Sequence, residues 1–314
     1  MLHGRMLRYL DEVARCGSIR RAASRLHVAS SAINRQILSL EQELGTPLFE
    51  RMPRRLRLTA AGELLIDHIR QTLKEYDRVG SLLEGLKGIQ RGKVTLATTL
   101  GLAMGPVRGV VSEFLNRHPG VQIEVRALVA DAIPNAVLAG EADLAVSYNL
   151  PADRNLRTQL SLDVPIVAVM ASDHPLVARR TAHIAEIAAY PMVLPLAGMT
   201  VRDLVTAVFA RLSLSLQPVV ETNSIEMIKQ LVAEPPRVTF LNPLDAVVEH
   251  GRRELVFVKL ADRYLKQQQL QIITRATSPS DFIASLFLEQ LKASLVQQVA
   301  QLHAMERADG QVPS

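Results

Sequence analysis

Two amphipathic patterns open the chain and predict two short helices. Apolar side chains recur at positions 6, 7, 10 and 13 in the first pattern and at positions 19, 22, 23 and 26 in the second. Both sets have helical spacing. Gly17 is placed to end the first helix, and Ser18 is placed to cap the second.

A third amphipathic pattern follows after a short connection. Ser30 or Ser31 is expected to cap this helix, which Gly45 ends. Two helices joined in this way form a helix-turn-helix, whose second helix points its first turns at base edges in the major groove. We therefore expect the polar side chains early in this helix, Ser30, Ser31, Asn34 and Arg35, to read bases.

A proline-flanked segment at residues 46–59 predicts a short hairpin, because apolar residues and arginines alternate near its end. The hairpin carries four arginines, Arg51, Arg54, Arg55 and Arg57. A basic wing beside a helix-turn-helix contacts phosphates or enters the minor groove. The alternative is a solvated arginine loop on a small helical domain.

A long apolar seam then runs through residues 62–89. Its members lie three or four residues apart and are Ile66, Ile69, Leu73, Tyr76, Val79, Leu83 and Leu86. This spacing predicts a two-stranded coiled coil that pairs two chains. The alternative is an amphipathic helix packed on its own domain. The glycine-containing segment at residues 87–92 is expected to be a hinge.

Strand and helix patterns alternate in the rest of the chain. Two such sets, the second starting near Val164, predict two α/β lobes built on parallel, doubly wound sheets. The crossovers between the lobes are expected near residues 163 and 266. Loops at the carboxyl ends of the strands would converge on a cleft between the lobes.

Charge separates these two parts of the chain. Residues 1–91 hold 16 Lys and Arg against 10 Asp and Glu, whereas residues 92–314 hold 20 against 21. Every basic residue in residues 1–57 is arginine, which suits phosphate and guanine contacts. This asymmetry is expected when one domain meets a polyanion and the other does not.

Several classes of protein are disfavoured by the composition. The single cysteine, Cys16, excludes an intramolecular disulfide and a multi-cysteine metal site, and we expect a buried or half-buried thiol there rather than a nucleophile. No membrane-spanning apolar run and no secretory signal pattern is found, so we expect a cytoplasmic protein without a membrane partner. A free-standing solute-binding protein, the rival for residues 92–300, would need such a signal.

Enzyme motifs are missing from the sequence as well. It contains no Gly-x-Ser-x-Gly elbow, no phosphate-binding loop ending in Lys-Ser/Thr and no His-Glu-x-x-His helix. The eight histidines have no metal-ligand spacing. We expect no catalysis, no cofactor and no metal.

The amino-terminal third resembles the winged helix-turn-helix of LysR-type transcriptional regulators. The resemblance rests on runs in register at residues 18–28, 37–51 and 58–62. Ser31 stands where the family usually has proline and Asn34 where it usually has serine, so the operator cannot be inferred from relatives. The resemblance implies DNA binding, paired linker helices and a periplasmic-binding-protein-like effector domain. Shorter matches at residues 140–145, 174–176 and 241–243 fit that domain.

We expect a DNA-binding domain at residues 1–62, a dimerising linker helix and hinge at 63–91, an effector domain at 92–300 and a flexible tail at 301–314. Lobe I would comprise residues 92–163 and 267–300, and lobe II residues 164–266. Besides the base readers and the wing arginines, Ser18, Arg20 and Thr59 are expected to contact DNA.

Six residues are predicted to contact a small effector, with a carboxylate or another anion as the expected class: Thr98, Thr99, Tyr148, Met199, Thr200 and Asn223. Hydroxyls and free helix N–H groups at the end of the first strand suit an anion. The alternatives are that one threonine only caps a helix, that Asn223 and Ser224 are caps, and that Tyr148 lies on the surface. Asp143 is expected to be a structural turn residue.

These features predict a regulator that binds double-stranded DNA as a homodimer or homotetramer. An effector closing the cleft would change how the subunits pack. The alternative is a DNA-binding regulator whose carboxyl-terminal domain only oligomerises and takes no ligand. The effector, the operator and the direction of regulation are not determined by the sequence.

Overall fold

The computed structural model describes residues 2–52, 55–85, 92–179, 181–262, 265–276 and 282–308. The chain divides into two compact units between Gly92 and Lys93. The elements of the first unit are α1 (Leu2–Cys16), α2 (Ile19–Leu26), α3 (Ser30–Leu44), β1 (Phe49–Arg51), β2 (Leu56–Leu58) and α4 (Ala60–Gly85).

Local signals set the ends of α1, α2 and α3. The Ser18 Oγ accepts a hydrogen bond from the Arg21 backbone N–H at 3.4 Å, as predicted for the cap of α2. Gly45 has a φ of +65° and ends α3, also as predicted. The predicted cap of α3 was wrong. The residue before the helix is Ala29, and Ser30 is already helical, so neither serine hydroxyl can cap from outside the first turn.

The hairpin is tied to the helices by the side chains of Glu41 and Thr59. β1 pairs with β2 in antiparallel register. Glu41 Oε1 on α3 accepts hydrogen bonds from the backbone N–H groups of Leu48 at 2.7 Å and Phe49 at 3.2 Å. The Thr59 hydroxyl donates to the Pro47 carbonyl at 2.7 Å and accepts from the Gly62 N–H at 3.0 Å. The predicted hairpin is therefore present, with residues 53–54 outside the described chain.

The apolar residues of the α4 seam lie in two different environments. Ile66 and Ile69 are buried in the core of the first unit, and Leu73 packs against that core. Tyr76 and Val79 are exposed. The coiled-coil prediction was wrong for the first half of the seam, because α1–α3 already cover that part of α4. The side chain of Leu83, as well as Leu86 and the predicted hinge, lies outside the described residues.

The second unit is an α/β body with longer strands. Its strands are β3 (Gly92–Thr98), β4 (Val121–Ala127), β5 (Leu144–Tyr148), β6 (Leu156–Val164), β7 (Val167–Ala171), β8 (Thr181–Ala182), β9 (Met192–Pro195), β10 (Pro218–Thr222), β11 (Val238–Leu241), β12 (Leu255–Leu260) and β13 (Gln268–Arg275). Its α-helices are α5 (Leu100–Leu102), α6 (Arg108–Arg117), α7 (Ile133–Leu138), α8 (Ile184–Ile187), α9 (Thr200–Arg211), α10 (Ile225–Val232), α11 (Val247–Gly251) and α12 (Phe282–Ala308).

These strands form two sheets, one in each lobe. Their orders are β4-β3-β5-β13-β6 in lobe I and β10-β9-β11-β7-β12-β8 in lobe II. β3 is parallel to β5, and β9 is parallel to β10 and β11. β13 is antiparallel to β5 and β6, and β7 is antiparallel to β11 and β12. The prediction of all-parallel sheets was therefore wrong, because the strands nearest the crossovers run against their neighbours.

Each lobe buries its own apolar core. The lobe I core packs α6 and α12 on one face of its sheet around Phe114 and Phe287, and the lobe II core packs α9 on its sheet around Phe209 and Phe240. α12 continues to Ala308, past residue 301, where the tail was predicted to begin. In the described part of the chain, no helix combines the length and the apolar character that a membrane crossing needs.

Candidate nucleic-acid interface and effector cleft

The predicted base readers share one face of α3. Ser30, Ser31 and Arg35 are exposed and Asn34 is half-buried, whereas Ile33 on the other face is fully buried. Because the buried face is held in the core, the polar face is presented to solvent in a fixed orientation. Such a face is what entry into a major groove requires.

Leu38 extends this face by one further turn. It is 49% exposed and lies three residues after Arg35 on the same helix. Sequence reasoning missed it because only polar side chains were considered as base readers. An apolar side chain on a base-reading face can contact a thymine methyl group.

The residues around α2 divide into structural and free groups. Arg21 donates to the carbonyl of Cys16, and Arg25 pairs with Glu12 at 3.0 Å. Arg20 is exposed. The Ser18 hydroxyl accepts one hydrogen bond as a cap, and this bond does not use the hydrogen of the hydroxyl itself.

The wing residues are only partly described. Arg55 and Arg57 are exposed on the hairpin. Arg54 lies outside the described residues, and for Arg51 only the backbone, in β1, is described. Thr59 has given its hydroxyl hydrogen to Pro47, so this side chain ties the wing to α4 and cannot donate to a phosphate in this arrangement.

Cys16 is structural, as expected. Its thiol is buried and donates to Glu12 Oε1 at 3.1 Å. Burial raises the pKa of Cys16, and the neighbouring Glu12 raises it further. A buried thiol with a raised pKa is a poor nucleophile.

Two threonines lie where the first strand of lobe I ends, but in different settings. Thr98 is fully buried, and its hydroxyl has no hydrogen-bond partner among the described residues. Thr99 is half-buried and precedes α5 without capping it through its side chain. Capping alone therefore does not account for either threonine, and only Thr99 has an accessible side chain.

The predicted residues of lobe II lie at the starts of α9 and α10. Met199 and Thr200 are half-buried where α9 begins. Ser224 caps α10 by accepting a hydrogen bond from the Met227 N–H at 3.2 Å, and Asn223 is exposed beside it. The capping alternative is thus right for Ser224, and Asn223 keeps its amide for another partner.

Thr99 and Asn223 precede two helices, α5 and α10, that are in contact. α10 packs against α5, and the turn at Pro243–Ala246 packs against α5 and the following helical turn at Ala103–Val107. The carboxyl ends of β3 and β10, which Thr99 and Asn223 follow, therefore face one another. Exposed apolar side chains follow the same strand ends and are Leu100, Val129, Leu196 and Met227.

Tyr148 is not on the surface. It is 9% exposed, and burial together with the nearby Asp245 carboxyl raises the pKa of Tyr148. Its hydroxyl is close enough to interact with Asp245, but no hydrogen bond of ordinary geometry satisfies it. Asp245 and Lys229, both buried, were missed by sequence analysis because charged residues are expected at the surface.

Asp143 has the structural role that was expected. Its Oδ2 accepts a hydrogen bond from the Thr95 N–H at 2.8 Å, which fixes the turn before β5. Across the described ranges, no group of three or more His, Cys, Asp or Glu residues is arranged to hold a metal ion.

Comparison with protein families and solved structures agrees with this arrangement. Residues 5–63 match the bacterial regulatory helix-turn-helix protein, lysR family, and residues 87–296 match the LysR substrate binding domain. The SDS degradation transcriptional activation protein of a Pseudomonas species is 32% identical over 291 residues, which cover 87% of this chain and 90% of that protein. The RuBisCO operon transcriptional regulator of Allochromatium vinosum is 28% identical over 231 residues, 73% of this chain and 75% of that protein.

Solved structures show the same fold over nearly the whole chain. A full-length OxyR variant from Pseudomonas aeruginosa has a TM-score of 0.70 at 21% identity and covers 92% of this chain and 93% of its own. Full-length CbnR complexed with its target DNA has a TM-score of 0.62 at 21% identity, with 93% and 99% covered. The matched families are regulators rather than enzymes. This chain belongs to the LysR family of DNA-binding transcriptional regulators.

Proposed function

We propose that this regulator reads its operator with Ser30, Ser31, Asn34 and Arg35 and holds the flanking phosphates with the wing. The observation that carries the proposal is the polar, exposed face of α3 above a buried Ile33. The wing places Arg55 and Arg57 in solvent beside it, and Arg51 and Arg54 belong to the same proposal. Ser18 and Arg20 would add phosphate contacts at the start of α2.

A selection experiment tests this proposal directly. Full-length protein is mixed with fragmented genomic DNA at moderate salt, and the bound fragments are sequenced. Enrichment of a two-fold symmetric site whose half-sites lie one helical turn apart supports reading by a paired α3. A bound pool with the same sequence composition as the input would contradict base reading. Because its target is DNA, we place the protein in the cytoplasm.

The regulator acts as a homodimer or homotetramer through the exposed apolar side chains of α4. Leu64, Tyr76 and Val79 are exposed on that helix, at 76%, 58% and 48%. Large apolar side chains along one helix are commonly covered by a partner. The proposed limits are residues 1–62 for the DNA-binding domain, 63–91 for the linker and 92–300 for the effector domain.

The effector is a small anion with an apolar body, bound between the lobes. Thr99, Thr200 and Asn223 offer polar groups at facing strand ends, and Met199 lies beside them. The exposed Leu100, Leu196 and Met227 would cover the apolar part. Apolar lining with a few polar groups is the usual composition of a small-molecule site.

A thermal-shift screen separates this proposal from a domain that only oligomerises. Small aliphatic and aromatic carboxylates are compared with the matching primary amides, using full-length protein and its Thr99→Ala variant. A ligand raises the unfolding midpoint by mass action. A carboxylate that raises the midpoint of the wild type more than that of the variant supports the site, and no shift with any compound favours the oligomerisation alternative.

A further inference from the structure

A buried charge cluster lies where lobe II meets lobe I. Lys229 on α10 is 4% exposed and pairs with Glu226 at 2.7 Å and with Glu249 at 2.9 Å. Asp245 is 6% exposed and interacts with Lys229 and Glu226. One ammonium group therefore serves three carboxyl groups. Glu226 and Glu249 are half-buried, whereas Asp245 and Lys229 are buried, so ionisation of Asp245 adds a negative charge at the part of the cluster that water reaches least, which is costly.

Asp245 is in direct contact with the other lobe. Its turn packs against α5, and a Cβ added at Gly101 would lie 2.5 Å from Asp245 Oδ1. A Cβ added at Gly105 would lie 2.4 Å from the carbonyl oxygen of Leu244. The two glycines of lobe I thus allow a close approach that side chains would prevent. The Asp245 carboxyl is therefore part of the contact between the lobes as well as of the interior of lobe II.

Tyr148 approaches the same carboxyl from lobe I. It ends β5, and its buried hydroxyl interacts with Asp245. The segments of lobe I packed on the turn, at 100–107, contain no titratable side chain. From lobe II, α10 contributes Glu226 and Lys229, and α11 contributes Glu249 and His250. His250 Nδ1 lies 3.2 Å from the carbonyl of Leu255, and its ring stacks on Phe257.

We propose that Asp245 is a proton-operated contact between the lobes: the neutral acid lets the turn at 243–246 stay packed against α5, and ionisation loosens it. On ionisation the proton passes to water, and the added negative charge faces Glu226 and Glu249. Lys229 and the hydrogen-bonding groups of Asn242 and Tyr148 offset only part of the cost of burying that charge. Water entering between the lobes would relieve this charge. The contact would therefore open without any effector, and the proposal goes beyond effector binding.

The transition falls near neutral pH. Burial raises the pKa of Asp245 to about 7, although Lys229 and the hydrogen-bonding groups of Asn242 and Tyr148 act in the opposite direction. The closed arrangement binds a proton that the open arrangement releases, so closing is favoured as pH falls through this value. By linkage, the ratio of open to closed molecules increases by up to tenfold for each unit that the pH rises below about 7. Above about pH 7 this ratio levels off.

Hydrogen–deuterium exchange of the full-length protein tests the proposal at about pH 5.5 and about pH 7.5, after correction for intrinsic exchange rates. Exchange in segments 100–107 and 243–247 of the wild type should increase on the order of tenfold at the higher pH. Exchange in β7 should not increase at the higher pH. Asp245→Asn, which cannot ionise, should exchange slowly in both segments at both pH values. Glu254→Gln, an exposed acid nearby, should behave as the wild type.

Two results would overturn the proposal. One is a wild type in which both segments exchange equally at the two pH values, a measurement that does not depend on the folding of any variant. The other is a folded Asp245→Asn protein that keeps the pH response of the wild type. Neither result bears on DNA reading or on effector binding, so the proposals fail separately.

Discussion

The carbonyl oxygen of Leu48 occupies the space that a side chain at Gly62 would need: an added Cβ would lie 2.1 Å from it. Leu48 is itself buried and is held by Glu41 through its backbone N–H. The first turn of α4 can therefore pack on the turn before the wing only if residue 62 has no side chain. This contact fixes α4 relative to the turn before the wing, and the Glu41 hydrogen bonds fix that turn relative to α3.

Gly62→Ala should destabilise the DNA-binding domain by about 2 kcal/mol, because backbone must move to admit the methyl group. The measurement is urea unfolding of the full-length protein followed by circular dichroism, together with DNA affinity. The matched control is Gly109→Ala in α6, where no atom of the described chain lies within 4 Å of the added Cβ. The control should be neutral or slightly stabilising, since alanine favours a helix. A stable Gly62→Ala protein with normal DNA affinity would contradict this account.

Arg35→Ala and Arg55→Ala should affect DNA binding differently. Loss of a base contact at Arg35 should cost about 1–3 kcal/mol on the operator and much less on random DNA. Loss of a phosphate contact at Arg55 should weaken binding to both and lower the salt slope by about one. Fluorescence anisotropy over a salt series measures both effects, with the exposed Arg154→Ala of the second unit as control. Equal losses on both DNAs for both variants would rule out this division of roles.

Ser18→Ala and Ser31→Ala should separate stability from DNA reading. Ser18 caps α2, so its loss should lower the free energy of unfolding by about 1 kcal/mol. Ser31 is exposed in the first turn of α3 and caps nothing, so its loss should leave stability unchanged and weaken operator binding. Chemical denaturation and operator titration of the two variants check this pair. Reversed results would show that Ser31 is structural.

Tyr76→Glu and Val79→Glu should dissociate the oligomer. A charge buried against a partner chain is costly, and both side chains are exposed on α4 in the single chain. Sedimentation velocity should show a shift toward monomer with unchanged helix content. Asp67→Ala, an exposed residue on the same helix, should keep the wild-type assembly. An intact oligomer in both glutamate variants would place the interface elsewhere.

Acid should destabilise lobe II through His174. Burial lowers the pKa of His174, whose Nδ1 accepts from the Leu176 N–H at 3.1 Å. The folded state therefore binds fewer protons than the unfolded chain, so this contribution is present above about pH 6.5 and is lost as pH falls. His174→Gln should reduce the loss of unfolding free energy between about pH 7.5 and about pH 5.5. An unchanged pH dependence in this variant would show that other groups control it.

The periodicity of apolar residues and local chemistry were sufficient to predict those elements whose structure depends on residues close together in the sequence. The ends of α2 and α3 depend on Ser18 and Gly45, whose hydroxyl and left-handed backbone act on residues a few positions away. The hairpin and the polar face of α3 follow in the same way. The sequence alone thus determined the helix-turn-helix, the wing and the polar side chains on the exposed face of α3.

Only the tertiary structure decided which residues meet across long separations. α1–α3 bury Ile66 and Ile69 of the α4 seam and leave Tyr76 exposed. The spacing of apolar residues along the seam is the same in both environments. The antiparallel placement of β13 between β5 and β6 joins segments more than a hundred residues apart. Asp245 and Tyr148 likewise meet only because Gly101 lets the lobes touch. Local patterns carry no information on such partners, because burial of these groups depends on packing between distant segments.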